Sequence, residues 1–144
     1  MEWMLMPLRR FADFTGRSQR QEYWMFILFS AMLYIAAVVL LVIFVAMTAP
    51  DGKKGDPAES VGLIIGILLI GLLYLGMFIP TLAVQVRRFH DQDLSGWFAL
   101  IGFIPNLGWL VMIIFMCIDG TAGPNRFGPD PKGRGGGQHA DIFA

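Results

Sequence analysis

The chain has 144 residues and a mass of 16.0 kDa, enough for one structural unit of ordinary size. Apolar residues make up 56% and charged residues only 15%; soluble domains carry roughly 25% charge, so lipid is the expected solvent. A net charge of zero argues against a nucleic-acid binder, which needs a basic face to neutralise phosphates, and the single cysteine, Cys117, excludes an intrachain disulfide and a cysteine-based zinc centre.

Residues 1–14 mix Trp3, Met4, Leu5, Leu8, Phe11 and Phe14 with Arg9 and Arg10. That mixture predicts a short interfacial helix, its apolar face among headgroups and its arginines towards phosphate. Ser18 followed by Gln21 resembles a capping box ahead of an apolar run, and Tyr23 and Trp24 stand where an aromatic belt belongs. Met25 to Met47 contains no charge. As a helix it reaches roughly 35 Å, enough for a hydrocarbon core of about 30 Å. The apolar core of a cleaved signal peptide would be only about 7 to 15 residues, so an uncleaved span is expected. Thr48 to Ser60, with Pro50, Gly52, Gly55 and Pro57, reads as a loop.

A second span covers Val61 to Val86, bent at Pro80, where a backbone donor is missing. Gly62 and Gly66 form a small-xxx-small pair that lets helices approach closely, and Gly71 and Gly76 add further notches. The third apolar run, Leu94 to Ile118, is broken by Pro105-Asn106-Leu107-Gly108. It is either a kinked spanning helix or a re-entrant hairpin. If it crosses, the two sides hold six and five basic residues; if it returns, they hold nine and two. The positive-inside rule prefers the second arrangement, with the N-terminus cytoplasmic. Lys132 to Ala144, with three consecutive glycines, reads as a disordered tail. The expected fold is therefore an all-α polytopic membrane protein: one membrane domain over 1–131, with spans at about 25–47 and 61–86 and a broken third segment at 94–118.

Polar residues gather in three stretches beside these runs. They are Phe14-Thr-Gly-Arg-Ser-Gln-Arg-Gln-Glu-Tyr-Trp24, Arg87-Arg-Phe-His-Asp-Gln-Asp-Leu-Ser-Gly-Trp97 and Gly120-Thr-Ala-Gly-Pro-Asn-Arg-Phe-Gly-Pro-Asp-Pro131. Together they resemble the signatures of a family of small bacterial inner-membrane proteins known as domain of unknown function 805. The first stretch fits the family's F-x-G-R-x-x-R-x-E-Y-W pattern throughout. The second fits R-R-x-H-D followed by S-G-W, with Phe89 where leucine is more usual, and the third fits G-x-x-G-x-N-R-F-G-x-D-P. The resemblance runs from Phe14 to Pro131. It implies architecture and an inner-membrane location, and no biochemical activity.

The motif residues are the candidate site: Arg17, Arg20, Glu22, Arg87, Arg88, His90, Asp91, Asn125, Arg126 and Asp130. Arginine's planar fork binds phosphate bidentately, so a cluster of such residues at the membrane surface suits an anionic lipid headgroup or another anion. The competing reading is an ion-pair network, with Glu22, Asp91 and Asp93, that clamps helix ends together. His90-Asp91 has the elements of an oriented imidazole, but no nucleophile is placed to complete a triad. A metal centre is not expected either, since adjacent residues on a helix point about 100° apart. No cofactor is expected. The reading is a binding or regulatory membrane module with lipid, a second copy or a larger membrane complex as partner, and no nucleic acid. The alternative is a subunit of an oligomeric transporter or channel, its axis lined by the helix break at Pro105, Asn106 and Gly108.

Overall fold

A computed structural model describes residues 2–48 and 57–134. Its regular elements are helices: α1 (Glu2–Arg9), α2 (Arg20–Thr48), α3 (Pro57–Asp91), a 3-10 helix (Gly96–Phe103) and α4 (Gly108–Cys117). Helices α2 and α3, with 29 and 35 residues, are long and apolar enough to cross a membrane. Their surfaces carry the aliphatic side chains that a water-soluble helix would hide; Leu40, Leu68 and Leu72 are each about two-thirds exposed. The chain is a polytopic helical membrane protein.

Both long helices overrun the apolar stretches that define them. Helix α2 starts at Arg20, five residues before Met25, and α3 ends at Asp91, five beyond Val86. The charges that mark the edge of apolar sequence are inside the helices, paired with one another, and so do not terminate them. Helix α3 also begins at Pro57, within the expected loop; proline suits a first helical position because its missing N–H has no intrahelical partner there. The remainder of that loop, 49–56, lies outside the described residues. The capping box does not form. Gln19, not Ser18, accepts the first α2 bond, from the Tyr23 N–H at 3.3 Å, and the buried Ser18 hydroxyl has no partner. Of the expected tail, 135–144 lie outside the described residues, whereas Lys132 and Arg134 are held in ion pairs.

The contacts divide the chain into two compact units, 27–78 and 1–26 with 79–144. In the first, glycine sets the helix spacing. A Cβ on Gly66 would stand 2.1 Å from Leu41 Cδ1, and one on Gly62 would stand 2.9 Å from Phe44 Cε1. The small-xxx-small pair is therefore used in packing, while Gly71 and Gly76 face open space.

In the second unit the third apolar run is a hairpin. Helix α3 is closed by a Schellman motif: Asp93 adopts a left-handed φ of 59°, the Leu94 N–H donates to Phe89 O at 3.0 Å and the Asp93 N–H to His90 O at 3.1 Å. The 3-10 arm then runs back beside α3, so that Gly96 meets Val86. Asn106 turns the chain with a φ of 65°, and a Cβ on Gly108 would fall 2.3 Å from the Ile101 carbonyl oxygen. Helix α4 returns against the first arm, and the Thr121 N–H donates to Asp91 O at 2.8 Å. The chain thus leaves the end of α3 and comes back to it. Each arm is about 15 Å long, half the thickness of a bilayer core of about 30 Å.

Candidate functional site: a buried charge cluster

The core around which this unit closes is mixed. Phe26, Ala83, Val84, Phe89 and Met116 are fully buried, and so are Arg87 and Arg88. Burying a guanidinium is costly unless its N–H groups are paired. Where each finds partners defines the site.

Asp91 is the hub. Its Oδ1 accepts from Arg17 Nε at 2.9 Å and its Oδ2 from Arg88 Nη1 at 2.5 Å. Arg17 then spends its remaining donors on backbone: Nη1 on Gly123 O at 2.7 Å and Nη2 on Thr121 O at 2.6 Å. Asp130 lies 3.9 Å from the same guanidinium. Arg17 therefore ties the entry to α2, the end of α3 and the 120–130 loop into one knot. Gly120 is required by the same contact, because a Cβ there would sit 1.9 Å from Asp91 Oδ2.

A second set of bonds closes the hairpin. The last turn of a helix leaves carbonyls without intrahelical donors. In α4 they are met by side chains: Gln92 donates to Phe115 O at 2.6 Å, Arg20 to Cys117 O at 3.0 Å, and Arg88 Nη2 to Ile118 O. Arg20 also pairs with Asp119 at 2.8 Å on the surface.

Arg87 is different. Its Nη2 donates to Glu22 Oε1 at 3.0 Å, yet Nε and Nη1 have no partner, and Arg88 Nε has none either. Three buried guanidinium groups (Arg17, Arg87, Arg88) thus face three carboxylates (Glu22, Asp91, Asp130), a balanced count with unused donors concentrated on Arg87.

The other expected site residues ring this cluster. Asn125 donates to His90 O at 2.8 Å, and Arg126 pairs with Asp93 at 3.1 Å in the open. His90 lies face to face with Phe127, centroids 3.8 Å apart and planes 4° apart, and its Nδ1 bonds to Gly16 O at 3.2 Å. Asp91 spends its carboxylate on arginines, so the His90-Asp91 neighbours do not form a catalytic dyad. Among the described residues no three His, Cys, Asp or Glu side chains are grouped to hold a metal. Pro105, Asn106 and Gly108 form the hairpin apex, away from the cluster. Sequence reasoning did not single out Thr121, Gly123, Asp119, Lys132 or Arg134; Gly123 enters through its backbone carbonyl, which no side-chain pattern marks, and Thr121 through its carbonyl and a hydroxyl that donates to Asp91 O at 3.1 Å.

At the rim, hydrogen bonding and charge set two carboxylates. Arg134, whose Nε lies 2.9 Å away, holds the Asp130 carboxyl well below the usual carboxylate range, aided by backbone N–H groups of Lys132, Arg134 and Gly123. Lys132, with help from the Arg20 and Arg134 charges, lowers Asp119.

Two long lipid-compatible helices, a half-length apolar hairpin and a buried charge knot define a polytopic membrane protein. Over residues 11–129 the chain matches the family described as Protein of unknown function (DUF805), and it belongs to that family. It is 39% identical over 135 residues to inner membrane protein YhaI of Escherichia coli (strain K12), covering 92% of this chain and 97% of that protein. It is 42% identical over 134 residues to inner membrane protein YhaH of the same strain, covering 92% and 98%. No solved structure matches the chain.

Proposed function

We propose that this chain is a binding or regulatory module of the bacterial inner membrane, non-catalytic, whose charge cluster engages the phosphate of an anionic lipid. The observation that carries the proposal is Arg87, which is fully buried with Nε and Nη1 unpartnered. An arginine needed only for folding would be expected to have its donors met, as those of Arg17 are. The nearest partly exposed charges acting on it are Arg10 and Asp13, a pair about a third exposed that is electrostatically coupled to Arg87. YhaI and YhaH are inner membrane proteins, which supports the location. A re-entrant third segment would put nine basic residues on one side against two on the other, which the positive-inside rule favours with a cytoplasmic N-terminus; the hairpin form of that segment supports this reading.

The balanced charge of the cluster favours a second reading, a clamp that serves only the fold. The double substitution Arg87→Gln/Glu22→Gln separates the two, since removing both partners leaves no buried charge unpaired. Native mass spectrometry with phosphatidylglycerol should show lipid retention falling about tenfold while the helical circular dichroism is kept. Unchanged retention in that folded variant would leave the clamp alone standing.

A further inference from the structure

We propose that the groove between the last turns of α3 and the 3-10 arm binds a neutral, hydroxyl-bearing membrane amphiphile whose O–H donates to His90 Nε2. The site is independent of Arg87, so it stands or falls apart from the anion reading.

The proton count on His90 comes first. Its Nδ1 contacts the Gly16 carbonyl oxygen, and a carbonyl can only accept. Nδ1 therefore carries the proton, and in the neutral ring Nε2 is left as an acceptor. Stacking on Phe127 holds the ring in place. Nε2 looks into the space where Gly96 lacks a side chain; a Cβ there would lie 3.3 Å from it and 2.7 Å from Val86 Cγ1. Glycine in the S-G-W motif thus keeps the imidazole open. Ser95 stands beside it and makes no cap hydrogen bond.

The surroundings select the ligand. The groove is open and offers about 560 Å³ beside Leu82, Val86, Trp97, Leu100 and Phe127. That volume is of the size that holds a small apolar ligand with a few convergent polar groups. An acceptor nitrogen needs a donor, which excludes esters and ketones. The apolar lining disfavours a charged donor, which would lose its hydration there. A neutral hydroxyl on an apolar body, as in a diacylglycerol or a quinol, meets both conditions.

The test uses the full chain in detergent with native mass spectrometry. The probes are dioleoylglycerol and a short-chain quinol, each set against its O-methylated counterpart. At least one free-hydroxyl probe should be retained about tenfold better than its methyl ether, the factor expected for one net hydrogen bond of roughly 1.4 kcal/mol; which probe wins identifies the source. His90→Asn keeps a donor for Gly16 O and removes the acceptor from the Nε2 position, which the shorter Oδ1 does not reach, so it should abolish that preference. Ser95→Ala should weaken it less. Equal retention of hydroxyl and methyl ether, retention of neither, or a preference that survives in folded His90→Asn overturns the proposal. The methyl-ether comparison needs no variant, so a misfolded substitution cannot protect the idea.

Discussion

The two units of the chain solve opposite packing problems. From Ile27 to Thr48 and from Ser60 to Phe78 there is no charged residue, and the helices meet through glycine notches with their large aliphatic groups turned outward. In the other unit charges are inside: the side chains of Arg17, Arg87, Arg88 and Asp91 are each at most 1% exposed. Lipid as solvent accounts for the contrast. With hydrocarbon outside, burying apolar surface between helices gains little, so close contact through small residues and polar bonds must supply cohesion. The glycine unit offers many weak contacts that tolerate change. The charged unit offers a few strong ones that do not.

That difference is broken most directly at Asp91, which meets two guanidinium groups at once. Asp91→Ala should leave Arg17 and Arg88 buried without a counter-charge and cost about 3 to 5 kcal/mol. The readout is the midpoint of SDS-induced unfolding in mixed micelles. Gly120→Ala, which drives a methyl into the same carboxylate, should push the midpoint in the same direction. A shift below about 1 kcal/mol for Asp91→Ala would mean that the cluster contributes no more than a surface pair.

In the glycine unit the expected effects are smaller and depend on position. Gly66→Ala places a methyl against the flexible end of Leu41, which can yield, so overpacking should cost about 1 kcal/mol. Gly71→Ala meets nothing within 4 Å and should be neutral or slightly stabilising through helix propensity, by up to about 1 kcal/mol. Equal losses at both positions in the same unfolding assay would show that Gly66 is not a contact.

How far the sequence foretells these units follows from the same physics. The apolar runs were legible because hydrocarbon tolerates no charge over some 20 residues, and the three motifs because charged residues beside a span need a reason. The helix ends were not, since Arg20, Glu22, Arg88 and Asp91 read as boundaries until their partners are known. The sequence of Leu94 to Ile118 is compatible with two routes. The path is decided by Gly108 packed on the Ile101 carbonyl and by Thr121 reaching Asp91 O, contacts that involve backbone. Burial of the arginines was likewise hidden. A headgroup-facing arginine and a knotted one have the same neighbours in sequence, and only Thr121 O, Gly123 O and Ile118 O tell them apart.

The smallest effect belongs to the exposed rim, where Asp119 pairs with Arg20 at 2.8 Å and Lys132 at 2.7 Å. Its side chain is half exposed, so solvent and salt screen these contacts. Its pKa is lowered from the ordinary 3.8, chiefly by the Lys132 hydrogen bond. A carboxylate whose folded-state value is depressed stabilises the fold above its ordinary value, and that contribution fades as pH falls through the folded value. Asp119→Asn should therefore lower the unfolding midpoint only slightly at pH 7. Between pH 8 and 5 wild type and variant should run in parallel, since the carboxylate stays ionised throughout. Only below about pH 3.8 should wild type lose the little that the pair contributes, and the two curves converge. A variant that falls clearly behind at pH 7 would place Asp119 within the charge knot, and the line between buried cluster and solvated rim would have to be redrawn to include it.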